Sequence, residues 1–260
     1  MPAHAVQKYA QMSITDIAIA LALIVISMAL SRLERLDLEK DLLIGSIRSF
    51  AQLMAVGYVL EAIFNAEKWY WVLLTLAVMT GVAGYTAAQR AKSVPHARRI
   101  AILSVSIGSM GTLLILVGLG IIESAPRYVI PVAGMIIGNA MNGAALAMNR
   151  LSAEIKLRRG QIEAALALGA TSRKAVDPAL KAAARAAMIP NINTMLTVGI
   201  VTLPGMMTGQ IIAGQAPSEA VRYQIVVGYM ITAAVTGASL AAALWSYKQF
   251  FTKDHQLLPE

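Results

Sequence analysis

The run YVIPVAGMIIGNAMNGAALAMN, from Tyr128 to Asn149, holds 22 residues without a single Asp, Glu, Lys or Arg. A helix of roughly 20 apolar residues crosses the hydrocarbon core of a bilayer, so this run predicts a transmembrane helix. The whole chain agrees, because 57% of its 260 residues are hydrophobic and only 14% are charged, against roughly 25% charged in soluble domains. We therefore predict an all-α integral membrane protein.

Six further spans are predicted on either side of this run. They cover residues 14–31, 42–64, 69–89, 100–122, 188–212 and 223–247. The sixth span in chain order, 188–212, contains Pro204-Gly205 and is predicted to be broken at 204–205. Irregular backbone at membrane depth is tolerated only where protein or water satisfies it, which makes this segment a candidate pathway element. The chain is interpreted as a single transmembrane domain, residues 1–260.

The basic residues divide unequally between the predicted loops. Of the 22 Lys and Arg residues, 17 fall in one set of loops, four in the other, and Arg48 lies inside a span. The positive-inside rule places the richer set in the cytoplasm, which predicts an N-terminus outside and a cytoplasmic C-terminus. Lys8 is the only Lys or Arg before the first apolar run, so that run is predicted as a retained helix rather than a signal peptide.

The long loop 150–185, between predicted helices 5 and 6, is amphipathic. It is rich in Ala, Leu, Lys, Arg and Glu, which favour helix, and its apolar residues recur at helical spacing. Gly169 is predicted to end one helix, and Pro178 is predicted in the first turn of a further one. A surface helix lying on lipid headgroups is one interpretation. The other is a coupling loop, because Glu163-Ala164-Ala165 followed by Gly169 resembles the first half of the EAA-x-x-x-G loop of ABC permeases. The Ile-x-Leu-Pro ending of that loop is absent.

Several chemistries are excluded by composition. The chain has no cysteine, so disulfides, iron–sulfur clusters and thiol nucleophiles are ruled out. No G-x-x-x-x-G-K-[ST] loop occurs, so any ATP hydrolysis is expected on another subunit. The three histidines, His4, His96 and His255, lie outside the predicted spans, and no His/Asp/Glu cluster predicts a metal cage. The basic charge follows membrane topology, so no nucleic-acid partner is expected.

Longer sequence blocks carry a family resemblance. In order, they are Leu38–Asp41, Arg48-x-x-x-Gln52, Val56–Leu60, Pro131–Met141, Leu168–Thr171, Leu203–Gly209 and Tyr223–Ile225. Together they resemble the Fet-type (FetB-like) iron-export permeases of ABC transporters, a family to which plant aluminium-tolerance permeases are also similar. The resemblance implies a permease that pairs with a separate ATPase and exports iron from the cytoplasm. A homodimer that works by alternating access is expected, because one chain of seven helices is too few to build the usual ABC pathway and most oligomers choose two-fold symmetry.

A first group of candidate pathway residues lies on the run Tyr128–Asn149. Met135 and Asn139 share one helical stripe, and Asn142 lies on the next with Gly134 and Gly138. One interpretation is tight helix packing through the Gly134-x-x-x-Gly138 motif. The other is a helix that lines the dimer axis and offers amide oxygens to a cation. The sequence leaves both open.

Pro204, Met206 and Met207 form a second candidate group in the broken segment. Methionine sulfur is a soft metal ligand, and carbonyls freed at a helix break can bind cations. The alternative is that both methionines fill space in an apolar core. Arg48 and Gln52, one turn apart near a span end, form a third group. Arg48 either anchors the helix at the interface or pairs with Glu39 or Asp41 as a gate residue.

The leading hypothesis is the permease subunit of an ATP-driven exporter of iron or a related metal, located in the plasma membrane (the inner membrane of a Gram-negative cell) as a multi-pass protein. This chain is expected to bear no cofactor and no enzymatic site, with ATP and Mg on the partner subunit. Its metal-contacting residues are unknown from sequence. The alternatives are a stand-alone secondary transporter, a membrane scaffold, or an exporter of another metal or a small organic cargo.

Overall fold

The computed structural model describes residues 14–66, 68–252 and 254–258, and these are almost wholly helical. No β-strand forms in these ranges, where only two isolated bridges occur. Six of the described helices are long and apolar enough to cross a membrane. The predicted all-α class is confirmed, and six of the seven predicted spans coincide with these candidate membrane-spanning helices. The chain divides after Ala66 into two compact units.

The first unit is a hairpin of two helices, α1 (Ile14–Leu33) and α2 (Glu39–Ala66). The turn between them is fixed by the buried hydroxyl of Ser31. Its Oγ donates to Glu39 Oε1 at 3.1 Å and accepts the backbone N–H of Leu38 at 3.2 Å. One side chain therefore ties the end of α1 to the start of α2.

The second unit contains eight helices and a closing 3₁₀ turn in its described residues. They are α3 (Trp69–Arg90), α4 (Ala97–Gly118), α5 (Pro126–Leu157), α6 (Arg159–Ala167), α7 (Ser172–Ala175), α8 (Asp177–Thr197), α9 (Gly205–Ile212), α10 (Pro217–Ser246) and the turn Tyr247–Phe250. Helices α5 and α10 form its centre, where they pack on each other and on α4 and α8. Their contact faces are lined by alanine and valine, which allow the helices to approach closely.

Two glycines allow other helices to pack closely against α10. A Cβ on Gly108 of α4 would lie 2.6 Å from both the Ala234 carbonyl oxygen and the Ala238 nitrogen of α10. A Cβ on Gly143 of α5 would lie 2.7 Å from Ser239 Oγ. Any side chain at these positions would push α10 away, so the central bundle depends on glycine, which has no side chain, at both.

The predicted packing motif on α5 does not make such a crossing. Nothing lies within 4 Å of a Cβ built on Gly138, and one built on Gly134 meets only the Met79 terminal methyl group, at 3.2 Å. Gly138 therefore makes no helix crossing within the described chain, and packing of this pair against another chain stays a prediction. Its surface is left open on the side of α5 that also carries Asn142.

The predicted span 188–212 differs from the structure in two ways. It is not among the six candidate spans of the described chain, because its first part belongs to α8, which begins with charged residues at Asp177. The helix also ends at Thr197 rather than at 204–205, since Gly199 adopts a φ of +84° and turns the chain. Pro204 is the N-cap of α9, a place that suits proline because no intrahelical N–H is needed there.

The predicted loop 150–185 is helical along most of its length. Helix α5 continues without a break to Leu157, so the first part of the loop extends the fifth span. Helices α6 and α7 follow, and α8 starts at Asp177 with Pro178 in its first turn, as predicted. The loop therefore forms a helical extension of the bundle.

Candidate functional site

A cavity of about 960 Å³ opens in the second unit between α5, α8, α9 and α10. Helices α5, α8 and α10 line it, together with the irregular segment 198–204 and the start of α9. Pockets of about 300–1,000 Å³ are typical of sites that enclose a drug-sized ligand. The volume is thus at the upper end of that range.

Six of the eight predicted pathway residues line this cavity. They are Met135, Asn139, Asn142, Pro204, Met206 and Met207. The two groups are separated by more than 60 positions in sequence, and the packing of α8 and α10 on α5 brings them to one space. Their role in transport stays a prediction, but their shared location is a property of the fold.

The two asparagines of α5 have different partners. Asn139 is exposed and its Nδ2 donates to the Met135 carbonyl one turn earlier, at 2.9 Å. Asn142 Oδ1 accepts a hydrogen bond from Arg90 Nη1 at 2.9 Å. The oxygen that was expected to face a cation is therefore held by a guanidinium group at the end of α3. This arrangement gives the cavity a positively charged neighbour.

A polar cluster that the sequence interpretation missed lies in the wall between α8 and α10. Asn191 Nδ2 donates to Thr232 Oγ1 at 2.8 Å, and the Thr232 hydroxyl lies 2.9 Å from Met195 Sδ. One turn further along α10, Thr236 Oγ1 lies 3.4 Å from Met188 Sδ. Only the charge-free run around Asn191 hinted at this contact, since the partner threonines are more than 40 positions away.

Further polar groups face the cavity without charge. Gln224 lines it, and its Oε1 is buried with no hydrogen-bond partner in the described protein. Buried amide oxygens are nearly always paired, so this one calls for a donor. No group of three His, Cys, Asp or Glu that could hold a metal ion occurs within the described ranges. His4 lies outside those ranges.

The third predicted pathway group lies in the first unit. Arg48 and Gln52 occupy successive turns of α2, and both are exposed within that unit. Neither Glu39 nor Asp41 forms an ion pair with Arg48 in the part of the chain that the structure describes. Glu39 instead accepts from Ser31. The gate role of Arg48 and Gln52 stays a prediction.

The predicted coupling residues form the end of α6 and a sharp turn. Gly169 has a φ of +85°, its N–H donates to the Leu166 carbonyl, and the Ala170 N–H donates to the Ala165 carbonyl. These two bonds define a Schellman motif, which ends a helix at glycine. Glycine is required there because the left-handed conformation disfavours a side chain. The prediction that Gly169 ends the helix is confirmed.

The surface of this turn combines one exposed apolar side chain with an acid. Leu168 is 89% exposed at the tip. Glu163 has half of its side chain exposed and pairs with Arg159 at 2.9 Å. Ala164 is exposed and Ala165 is half-buried, so both leave room for a close partner. At the start of α8, Lys181 and Arg173 hydrogen-bond Asp177 and hold the pKa of its carboxyl below the ordinary value.

A buried carboxylate lies in the last turn of α5, directly before the coupling residues of α6. Glu154 is only 3% exposed, and it accepts from Arg158 Nε at 2.7 Å and from Arg150 Nη2 at 2.6 Å. Arg150 and Glu154 lie one turn apart on α5, and Arg158, one turn further, is the residue that follows its end. Sequence reasoning counted the arginines for topology and overlooked the acid between them, although the i, i+4 spacing was a readable signal.

These features together define a multi-pass membrane protein with an uncharged, mostly apolar cavity between its helices, into which a few amide and hydroxyl groups are set. The chain belongs to the uncharacterised protein family UPF0014, whose model matches residues 14–251. The recognised resemblance is confirmed, since iron-export and plant aluminium-sensitivity proteins both appear among the relatives.

Three relatives cover almost the whole chain. Protein ALUMINUM SENSITIVE 3 of Arabidopsis thaliana is 41% identical over 92% of this chain and 88% of its own. The UPF0014 membrane protein STAR2 of Oryza sativa subsp. japonica is 42% identical over 92% and 84%. The probable iron export permease protein FetB of Escherichia coli (strain K12) is 38% identical over 94% of each chain. No solved structure is significantly similar to this chain.

Proposed function

We propose that this chain is the membrane-spanning permease subunit of an ATP-driven ABC exporter that moves iron or a related metal out of the cytoplasm. The observation that carries the proposal is the cavity of about 960 Å³ beside the break at 198–204. Discontinuous helices at a central cavity are a recurring design of transporter binding sites. The 38% identity to a probable iron export permease supports the direction and the metal.

Alternating access by a homodimer fits the shape of the cavity. Its lining comes from α5, α8, α9 and α10 of one chain, and exposed amides such as Asn139 are costly against lipid, so this face requires protein or water opposite it. Two-fold dimers are the commonest closed oligomers. A second copy facing the first would enclose a pathway along the dimer axis. The predicted sixth crossing, residues 188–212, is then made by α8 and α9 together, with the N-terminus outside.

Energy is supplied by a separate ATPase that binds ATP and Mg. The turn at Leu168-Gly169 is the proposed docking point, because an exposed apolar tip beside small residues suits a groove on a partner. A movement of the docking point is transmitted to the cavity through a continuous helix. Helix α5 runs unbroken from the cavity wall to Leu157, and Glu154 fixes its cytoplasmic end.

Pull-down of the tagged permease from its native membrane tests this function. An ATPase subunit is expected to co-purify, and its turnover is expected to rise when iron is added. Leu168→Asp and Glu163→Arg should release the ATPase. Glu123→Arg is the matched control, since Glu123 is an equally exposed carboxylate in an i, i+4 pair with Arg127 but lies outside the coupling segment.

A permease that purifies alone and stimulates no ATP hydrolysis would contradict the proposal. Transport driven by an ion gradient without ATP would instead support a stand-alone secondary transporter. Such a carrier usually couples through carboxylates near the bilayer midplane, and no Asp or Glu lines the cavity of the described chain.

A further inference from the structure

The cavity has the wrong chemistry for a bare metal ion. None of its 25 lining residues, all in the described second unit, is charged or a histidine. First-row divalent metals are bound in proteins mainly by imidazole and carboxylate, and iron shares this preference. A divalent ion moved into a site without these groups loses hydration and gains no charged ligand in return. Neutral amides and thioethers alone are poor compensation.

The charged side chain that hydrogen-bonds to a cavity-lining residue is Arg90, which carries a positive charge. Arg90 Nη1 donates to Asn142 Oδ1 at 2.9 Å, so a guanidinium group lies just behind one wall. Its field repels a free cation and attracts an anion. The same bond occupies the amide oxygen that would otherwise be free to coordinate a metal. Both effects act against an unchelated ion.

The size of the cavity points in the same direction. An ion with six waters occupies roughly 180 Å³, at about 30 Å³ per water, whereas the cavity measures about 960 Å³. The lining alternates aliphatic side chains such as Ile225 with amides such as Asn139 and Gln224. Mixed walls of this kind suit an organic skeleton that carries polar groups. Gln224, like Asn139, contributes an uncharged amide to this lining.

We propose that the cargo is a metal chelate, in which an organic ligand surrounds the ion and leaves the complex neutral or negatively charged. This proposal rests on the proposed export function and names its substrate class. The organic shell supplies the oxygen ligands that the cavity lacks, so the metal never has to exchange its coordination sphere for protein groups. Arg90 then helps to retain an anionic complex instead of opposing the cargo.

The test is binding to the purified permease in nanodiscs, measured separately for three probes. These are Fe²⁺ kept reduced with ascorbate, ferric citrate, and citrate without iron. Ferric citrate is expected to bind at least tenfold more tightly than Fe²⁺. Arg90→Gln should weaken ferric citrate binding at least fivefold, while Lys92→Gln, a matched charge loss in the adjacent loop, should leave it within twofold.

Equal or tighter binding of Fe²⁺, or no preference for ferric citrate over citrate alone, would overturn the proposal. These outcomes are distinct from a failure of the export function. Absence of a co-purifying ATPase contradicts the exporter, whereas the binding comparison needs no ATPase. Thermal unfolding of Arg90→Gln would be measured alongside, and only a variant that keeps its Tm within a few degrees would be compared.

A second inference comes from the C-terminal segment, residues 247–252 and 254–258. It turns back on itself, with the Leu258 N–H donating to the Phe250 carbonyl at 2.9 Å and the Thr252 N–H to the Gln256 carbonyl at 2.8 Å. The returning part reaches the coupling segment. His255 Nδ1 lies 3.0 Å from Ser172 Oγ, and Arg159 Nη1 donates to the Leu258 carbonyl at 3.2 Å.

These contacts connect the coupling segment with the end of α10, and the proposed function requires these two parts to move together. Ser172 begins α7 directly after the Gly169 turn, and Arg159 begins α6. The segment itself continues α10, whose residues from Val221 to Val235 line the cavity. Arg173 also lies over the Tyr247 ring at 5.9 Å, which adds a contact at the base of the segment. The C-terminal segment therefore bridges the docking turn and the cavity wall.

The geometry points to a mechanical role for this segment: it couples the docking turn to α10, with His255 as a positioning residue. This inference also rests on the proposed export function. In vesicles that hold the permease and its ATPase, His255→Ala is expected to raise the ATP hydrolysed per metal exported at least threefold. ATPase co-purification and Tm should stay unchanged. His255→Asn, whose amide can still bond Ser172, should restore most of the coupling.

An unchanged ratio of ATP to metal in His255→Ala, with binding of the ATPase intact, would overturn the positioning role. Loss of ATPase binding in this variant would also overturn it, because the segment would then belong to the docking surface. Ser172→Ala provides an independent check from the other side of the same contact. It should reproduce the uncoupling of His255→Ala and add nothing to it in the double variant.

Discussion

Glu154 Oε2 accepts a hydrogen bond from Arg158 Nε at 2.7 Å, and the carboxylate is almost completely buried at the C-terminal end of α5. Removing one partner of a buried charged hydrogen bond leaves the other unsatisfied. Glu154→Gln is therefore expected to lower stability by about 1–3 kcal/mol, measured as thermal unfolding in detergent. Glu123→Gln, whose pair with Arg127 is long and exposed, should change it by less than about 0.5 kcal/mol. Equal effects would contradict a structural role for Glu154.

The crossing of α4 and α10 should reject any side chain at Gly108. Gly108→Ala places a Cβ 2.6 Å from backbone atoms of α10, so overpacking should cost about 1–3 kcal/mol. Gly111→Ala lies on the same helix with nothing within 4 Å, and should be neutral or slightly stabilising. The measurement is Tm in detergent together with the monodispersity of the purified protein. A Gly108→Ala variant as stable as Gly111→Ala would mean that this crossing is looser than described.

The hydroxyl of Thr232 should contribute to the seam between α8 and α10. Thr232→Val removes the group that bonds Asn191 and Met195 while keeping the shape of the side chain. Hydrogen bonds between membrane helices average about 0.6 kcal/mol and reach about 1.7. A loss in that range is expected in unfolding measurements. Thr75→Val is the control, because that hydroxyl bonds only the carbonyl of its own helix.

Lining residues of the cavity should differ in their importance for export. Because a chelate brings its own ligands, Met206→Leu combined with Met207→Leu should keep metal export within about twofold, since leucine is close in volume to methionine. Asn139→Leu removes a polar contact and should reduce export about tenfold, as expected for an unpaired polar group on a bound molecule. Flux into inverted vesicles measures both. A tenfold loss in the methionine double variant would indicate direct thioether ligation of the metal.

The predicted orientation can be tested with single cysteines, because the chain contains none of its own. Leu168→Cys, at the exposed tip of the coupling segment, should react with a membrane-impermeant maleimide only in inverted vesicles. Ala216→Cys, in the loop before α10, should react in intact cells. Labelling of Leu168→Cys from outside would contradict both the positive-inside assignment and the docking role of the turn.

Local signals in the sequence predicted much of this molecule. The charge-free run at Tyr128–Asn149 identified its central helix, and the left-handed turn at Gly169 followed from glycine after an alanine-rich helix. The cavity residues of α5 and α9 were also anticipated, because amides and a proline break are unusual at membrane depth. Such features depend on one segment at a time, which is why a single sequence reveals them.

Features that depend on distant partners were not predictable. Gly108 and Gly134 look alike in sequence, yet only Gly108 meets another backbone closely, because the choice depends on where α10 crosses. The end of α8 at Thr197 was missed because Gly199 is a weaker breaker than Pro204 in isolation. The Arg90–Asn142 bond joins residues 52 positions apart, and no periodicity indicates it.

The break between α8 and α9 also bears on how the protein is made. Helix α8 starts with charged residues and α9 is only eight residues long, so neither offers the continuous apolar run that a translocon releases into lipid on its own. We expect both to enter the bilayer only when α5 and the later α10 are present to receive them. We therefore expect the wall of the cavity to be complete only after α10 has been inserted.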